Sequence, residues 1–146
     1  MNMLYDINTL NNSLKYYSQM GDMFNCERIL DQIFLSNLNP NEITYRSLIS
    51  GYIIVKDYKK AENRLEDMYI HGIPTNIDIY NMLIVAYMSV DNVINSINIL
   101  NDMRKHNILP NKRTYRIFNN QYGKLKNIKD CYLLSTLLNK DFNINN

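Results

Sequence analysis

The sequence predicts an all-α fold, an α-solenoid of four stacked antiparallel helix pairs. The first observation is an internal repeat, because a tyrosine recurs at intervals of 35 residues, at Tyr45, Tyr80 and Tyr115. The second is that apolar residues follow helical spacing in two runs within each repeat. The third is physical: a lone helical hairpin cannot bury its apolar stripe, whereas stacked hairpins bury a continuous one. The same interval separates other identical residues: Leu48 and Leu83, Leu65 and Leu100, Met68 and Met103, and His71 and His106.

The repeat organises the whole chain, residues 1–146, as a single domain. A length of 146 residues suits one domain. One interval before Tyr45 lies Leu10, which therefore stands in the tyrosine position of the first repeat. The four repeats have these boundaries: residues 7–41, 42–76, 77–111 and 112–146.

Each repeat is predicted to contain two helices separated by a short break, and the second repeat shows this pattern most clearly. Its first helix carries an apolar stripe that stops at Lys56-Asp57, and its second helix ends at Gly72 and Pro74. The stripe residues of these two helices are Tyr45, Leu48, Ile49 and Tyr52, then Tyr58, Ala61, Leu65 and Met68.

The other repeats follow the same plan. Gly21-Asp22 supplies the central break of the first repeat, and Pro110 ends the second helix of the third. Tyr115 and Phe118 begin the same stripe in the fourth repeat. The third repeat has these stripe residues: Tyr80, Leu83, Ile84 and Tyr87, then Val93, Ile97, Leu100 and Met103. We therefore expect eight helices, in four pairs, and no strand.

The composition excludes several other classes of protein. A chain that is 46% hydrophobic and 21% charged can bury a core. No apolar run approaches the roughly 20 residues of a membrane span, so we expect no membrane partner. Cys26 and Cys131 are too far apart for a disulfide framework or a zinc site, and both hold the repeat position of Ala61 and Ser96, where a small side chain packs. We attribute the 24 asparagines mainly to A/T-rich codon usage.

Charge is concentrated in one stretch of the chain. The net charge is +2, but residues 104–129 contain eight basic residues and no acidic one. The basic residues are Arg104, Lys105, Lys112, Arg113, Arg116, Lys124, Lys126 and Lys129. Such a block is typical either of a surface that binds an anionic partner or of a solvated helix face, and charge alone leaves both open.

The repeat resembles the pentatricopeptide repeat family over essentially the whole chain. The second repeat is the best match, with Ile43-Thr44-Tyr45, Leu48-Ile49-Ser50-Gly51-Tyr52, a small residue at Ala61 and the closing Gly72-Ile73. The tetratricopeptide repeat, with 34 residues, is the nearest alternative, and the interval of 35 disfavours it. The resemblance implies a right-handed superhelix that binds single-stranded RNA at about one base per repeat.

The resemblance also implies which residues read the bases: the residue after the tyrosine of the first helix and the last residue of the repeat. Arg46 and Arg116 suit phosphate contact or stacking better than base discrimination. Arg113 shares a helix face with Arg116, and Lys124 holds a position where family members often carry a backbone-binding lysine. The implied reading pairs are Asn11 with Asn41, Arg46 with Asn76, Asn81 with Asn111, and Arg116 with Asn146.

No motif in the sequence argues for an enzyme, a metal site or a cofactor. We interpret the three repeated tyrosines as core residues that pack between helices. We expect His71 and His106 to lie at helix C-termini, where a cation suits the helix dipole. The alternative to RNA binding is a structural helical-repeat scaffold that binds protein partners, for example a ribosome-associated subunit.

Localisation is implied by the resemblance alone. Members of the family mostly act in mitochondria or plastids, in RNA processing, stability or translation. Residues 1–6 lack the cationic start of a signal peptide and the Arg-rich helix of a transit peptide. We therefore expect a mitochondrial or plastid protein by resemblance, and otherwise a cytoplasmic one. Without a transit peptide, either the protein is not imported or the sequence is part of a longer chain.

Overall fold

The computed structural model describes residues 5–122, together with Leu133 and Thr136. This part of the chain contains seven α-helices and no strand, so the predicted all-α helical-repeat fold is confirmed. Each of the first three predicted repeats holds two helices. The predicted eighth helix, Lys124 and Cys131 lie outside the continuously described residues. The helices are α1 (Ile7–Gln19), α2 (Met23–Leu35), α3 (Glu42–Ile54), α4 (Tyr58–Ile70), α5 (Ile77–Ser89), α6 (Val93–Lys105) and α7 (Lys112–Tyr122).

The helices begin where the sequence supplies a capping side chain. An aspartate or asparagine precedes each of α1 to α6, and its side-chain oxygen accepts a hydrogen bond from the backbone N–H three residues later. This bond satisfies one of the backbone donors that a helix N-terminus leaves unpaired. The capping residues of these six helices are Asp6, Asp22, Asn41, Asp57, Asn76 and Asn92.

The helices end at residues in the left-handed backbone conformation, which recur at the same repeat positions. Gly21, Lys56 and Asp91 have φ of 71°, 61° and 56° in the break between the two helices of a repeat. Asn37, Gly72 and Asn107 have φ of 53°, 66° and 61° after the second helix. Only two of the six are glycine, the residue that adopts this conformation without steric cost. The backbone therefore repeats more regularly than the sequence does.

The chain falls into two compact units, divided after Thr75. In the N-terminal unit (residues 1–75), α3 packs against α1, α2 and α4, and α1 also packs against α2. In the C-terminal unit (residues 76–146), α5 packs against α6 and α7. Most residues of the predicted stripes lie in the cores, and Tyr45 and Tyr80 are at most 1% exposed, as expected for packing residues. Tyr58 and Ile97 are only partly buried.

A polar network ties the first repeat to the second inside the N-terminal unit. Arg64 of α4 donates to Glu27 of α2 at 2.8 Å and to Asp67 at 2.6 Å. The hydroxyl of Tyr52 of α3 donates to the second carboxylate oxygen of Glu27. Burial, together with this bond to Glu27, raises the pKa of Tyr52 to about 12. Glu27 therefore links α2 to two helices of the next repeat.

The small-residue position predicted from Cys26, Ala61 and Ser96 lies where two helices of a repeat meet. All three side chains are fully buried. The Cys26 sulfur lies 3.8 Å from the Leu14 carbonyl oxygen, and the Ser96 hydroxyl lies 3.4 Å from the equivalent Ile84 carbonyl. Burial raises the pKa of the Cys26 thiol to about 11, which disfavours the reactive thiolate.

Replacing Cys26 tests this packing role. Cys26→Ala and Cys26→Ser should change the free energy of unfolding by less than about 1 kcal/mol, because Ala61 and Ser96 fill the equivalent space. Cys26→Leu should cost roughly 1–3 kcal/mol, because the added methyl groups have no room between the helices. Urea unfolding of the three variants measures the difference. A Cys26→Leu variant as stable as the parent chain would contradict the tight approach of α1 and α2.

Candidate functional site

Two of the implied reading residues, Asn11 and Asn41, are joined in the N-terminal unit. The Asn11 amide nitrogen donates to the Asn41 side-chain oxygen at 3.0 Å. The Thr44 hydroxyl donates to the Asn11 oxygen at 2.7 Å. Thr44 and Asn41 also form a capping box at the start of α3, in which each side chain accepts the other's backbone N–H. Asn11 is 3% exposed, so its amide is buried and bonded on both sides.

The equivalent cluster of the C-terminal unit is built from Asn81, Asn111 and Thr114. The Thr114 hydroxyl donates to the Asn81 oxygen at 2.8 Å. Asn111 caps α7 by accepting the Thr114 backbone N–H at 3.1 Å, and its own N–H donates to the Thr114 hydroxyl at 3.2 Å. Asn81 is 1% exposed, and its amide nitrogen has no hydrogen-bond partner among the described residues.

The asparagine at the end of each of the first three repeats caps the next helix. Asn41 and Asn111 do so in capping boxes, and Asn76 accepts the Ile79 N–H at 3.1 Å. Sequence reasoning attributed these residues to codon bias or to base reading and missed this role. The sequence does contain a signal for this capping role, because Asn-x-x-Thr at 41–44 and 111–114 is a helix-start pattern. It would also have identified Thr44 and Thr114.

The arginines named as phosphate ligands are exposed. Arg46 lies on α3 in the N-terminal unit, whereas Asn76, its implied partner in base reading, belongs to the C-terminal unit. Arg113 and Arg116 both lie on α7, three residues apart and therefore on one face. Lys124 and Asn146 lie outside the described residues.

Arg113 has an acidic neighbour that the charge count of residues 104–129 did not reveal. Its guanidinium lies 3.5 Å from the Asp78 carboxylate, one repeat earlier, and the two side chains are 67% and 48% exposed. An ion pair this exposed contributes little to stability. It does neutralise part of the positive charge on the surface that α7 presents.

The two histidines lie beside two of the repeated tyrosines, with the Nδ1 atoms of His71 and His106 each 3.4 Å from the hydroxyl oxygens of Tyr45 and Tyr80. His71 and His106 cap the C-termini of α4 and α6, as expected, and their Nδ1 atoms lie 2.8 and 2.9 Å from the carbonyl oxygens of Asp67 and Asp102.

No group of three or more His, Cys, Asp or Glu residues in the described part of the chain could hold a metal ion. No described helix is both long and apolar enough to cross a bilayer.

Comparison with family models gives two matches. Residues 28–87 match the pentatricopeptide repeat domain, and residues 75–124 match the PPR repeat family. The two matches together extend over residues 28–124, about two thirds of the chain. No curated protein matches the sequence significantly.

Solved structures of the same repeat type are similar to this chain. The crystal structure of the pentatricopeptide repeat protein PPR10 from maize is 21% identical over 92% of this chain, with a TM-score of 0.74. PPR10 in complex with an 18-nt psaJ RNA element is 23% identical over 90% of this chain, with a TM-score of 0.76. The chain spans about a fifth of the length of these structures, 21% and 19% respectively.

Proposed function

The chain belongs to the pentatricopeptide repeat family, and on this basis we propose that it binds single-stranded RNA. The observation that carries the proposal is the recurrence, in both units, of a cluster in which the two implied reading asparagines meet at one threonine. An amide can present both a donor and an acceptor to a base edge. The similar protein PPR10 has been crystallised with an RNA element, which supports the same class of ligand.

The charges support separate roles for two groups of residues, one that contacts the bases and one that contacts the RNA backbone. Arg46, Arg113 and Arg116 are exposed, and the last two belong to the basic stretch of the sequence at residues 104–129. We assign phosphate contacts to these arginines and to Lys124, and base contacts to the asparagine pairs. A planar guanidinium binds phosphate through two parallel hydrogen bonds, whereas asparagine brings no charge and serves discrimination better.

The biological process follows from the family rather than from the geometry. We propose that the protein acts in RNA processing, stability or translation in a mitochondrion or plastid. At one base per repeat, four repeats read about four bases. Selection of one transcript therefore needs further repeats or another source of specificity.

The proposal predicts that the intact chain binds short single-stranded RNA and is competed poorly by duplex RNA of the same sequence. Stacked and paired bases hide the edges that the asparagines would contact. Fluorescence anisotropy with a labelled RNA of about 12 nucleotides measures this, with the duplex as competitor. A folded chain that does not bind RNA would favour the protein-scaffold alternative. Equal competition by duplex RNA would show that the interaction is a non-specific attraction between charges.

A further inference from the structure

An exposed apolar cluster lies at the turn between the two helices of the first repeat. Met20 follows α1 and Phe24 lies in the first turn of α2, and these residues are 69% and 74% exposed. Ile54 and Val55, at the end of α3, lie against the same turn, because a Cβ atom at Gly21 would be 3.7 and 3.1 Å from their methyl carbons. They are 50% and 43% exposed. We call Met20, Phe24, Ile54 and Val55 the turn patch.

The apolar character of this turn recurs along the chain. In the C-terminal unit, Val90 and Ile94 hold the positions of Met20 and Phe24 and are 46% and 52% exposed. Single exposed apolar residues are ordinary, whereas a cluster of them, at a position that is apolar in every repeat, indicates contact with a partner. The position of Met20 carries a large apolar residue in all four repeats: Met20, Val55, Val90 and Leu125.

The residues that adjoin the turn patch include several basic ones. The Arg28 guanidinium carbon lies 5.9 Å from the centroid of the Phe24 ring. Lys56 follows Val55 directly, and Lys59 holds in the second repeat the position that Phe24 holds in the first. All three basic side chains belong to exposed residues. The apolar patch therefore has a basic rim.

The acidic residues of the same turns are already engaged. Asp22 and Asp57 cap α2 and α4, and the carboxylate of each accepts a backbone N–H. Asp57 lies 3.3 Å from Lys60, and Glu62 lies 3.8 Å from Lys59, in exposed pairs that a partner can replace at little cost. Charge complementarity therefore favours a negatively charged partner.

We propose that the turn patch docks an acidic amphipathic helix of another protein. Apolar side chains one helical turn apart would cover the patch, and acidic residues beside them would meet Arg28 and the lysines. Apolar burial would supply most of the affinity, and the charges would set the orientation. A protein suits this surface better than RNA does, because three of the four patch residues offer a base no aromatic ring to stack on. The proposal does not depend on RNA binding.

The test begins with a phage-displayed library of random peptides of about 16 residues, a length at which helices begin to form in water. Selection on the intact chain should enrich peptides with more Asp and Glu than Lys and Arg, and with two large apolar residues one helical turn apart. Fluorescence anisotropy of an enriched peptide then measures its affinity for the parent chain and for variants.

Met20→Ser combined with Phe24→Ser should weaken the enriched peptide about tenfold or more, because both apolar contacts are lost. Lys59→Glu should weaken it about fivefold at low salt and less at high salt, because the rim charge is reversed. Leu35→Ser is the matched control, since Leu35 is 84% exposed at the opposite end of α2, and it should leave the affinity unchanged. Circular dichroism checks that every variant is folded.

The remaining outcomes separate this proposal from its alternatives. A selection that enriches nothing, or peptides without an acidic bias, would overturn it, as would equal affinity for the parent chain and the double variant. Dimerisation of the parent chain that the double variant abolishes, measured by sedimentation velocity, would assign the patch to a second copy instead. A loss of RNA affinity in the double variant would assign it to RNA. Failure of every variant and the parent chain to bind RNA would overturn the proposed function and leave this inference standing.

Discussion

Simultaneous replacement of Arg113, Arg116 and Lys124 by alanine should flatten the salt dependence of RNA binding by about two units of logarithmic slope. Each phosphate contact with a single strand releases counterions and contributes a slope of roughly −0.7, and three contacts are removed. Affinity at low salt should fall with the slope, while the order of preferred bases should not change, because phosphates carry no sequence information. The measurement is a salt titration of binding to short single-stranded RNA.

Asp78 supplies the control for this experiment, because its carboxylate lies 3.5 Å from the Arg113 guanidinium. Asp78→Asn keeps the shape of the side chain and removes its charge. It should strengthen binding at low salt, and its effect should disappear when Arg113 is also replaced. If the triple variant keeps the salt slope of the parent chain, the phosphate contacts lie in another part of the chain.

Removal of the Glu27 carboxylate should produce the largest loss of stability among the polar residues of the N-terminal unit. Glu27→Ala leaves Arg64 with Asp67 alone and the Tyr52 hydroxyl without its acceptor. Breaking a buried pair costs 3–5 kcal/mol, and because these side chains are 31% and 25% exposed we expect about 2 kcal/mol. Urea unfolding measures this loss in the free energy of unfolding, and Glu66→Ala, on the exposed face of α4, is the control.

The same network predicts how stability depends on alkaline pH. Burial and the bond to Glu27 favour the neutral Tyr52 phenol, so its pKa is higher in the folded chain, about 12, than the ordinary value near 10. The resulting stabilisation is complete below about pH 10 and is lost as the pH rises towards 12. Tyr52→Phe should weaken this dependence without abolishing it, because burial also raises the pKa of the Cys26 thiol, to about 11, and gives it the same sign of pH dependence. An alkaline unfolding curve that is identical in Tyr52→Phe and in the parent would show that Tyr52 is not the group involved.

The helical repeat could be predicted from sequence because it depends on local and periodic signals. Apolar spacing fixes each helix, and the interval of 35 residues fixes the stacking, so Tyr45, Tyr80 and the small position at Cys26 were placed correctly in the core. The pair Asp78–Arg113 was also within reach of sequence reasoning, because the two residues are one repeat apart and hold the same position.

Other features depend on side-chain geometry that spacing does not encode. Glu27 and Arg64 are 37 residues apart, out of register with the repeat, so their contact needs the packed helices to be known. Asn11 and Asn81 hold identical positions, yet one amide nitrogen is bonded and the other is not. That difference lies in how the side chains are placed at a helix start, which identical spacing in the sequence does not determine.

The capping role of the asparagines that end the repeats limits how such an array can change its preferred RNA. Any residue at the positions of Asn41, Asn76 and Asn111 must also start the next helix. Asn, Asp and Ser do this well and Thr and Gly less well, whereas Ala costs about 1 kcal/mol. Natural substitution and deliberate redesign are therefore restricted to a few residue types at the end of each repeat. The helix-interior position of Asn81 carries no capping requirement, but its burial and its hydrogen bond to Thr114 restrict it instead. Both positions of a reading pair are therefore constrained by the fold as well as by the RNA.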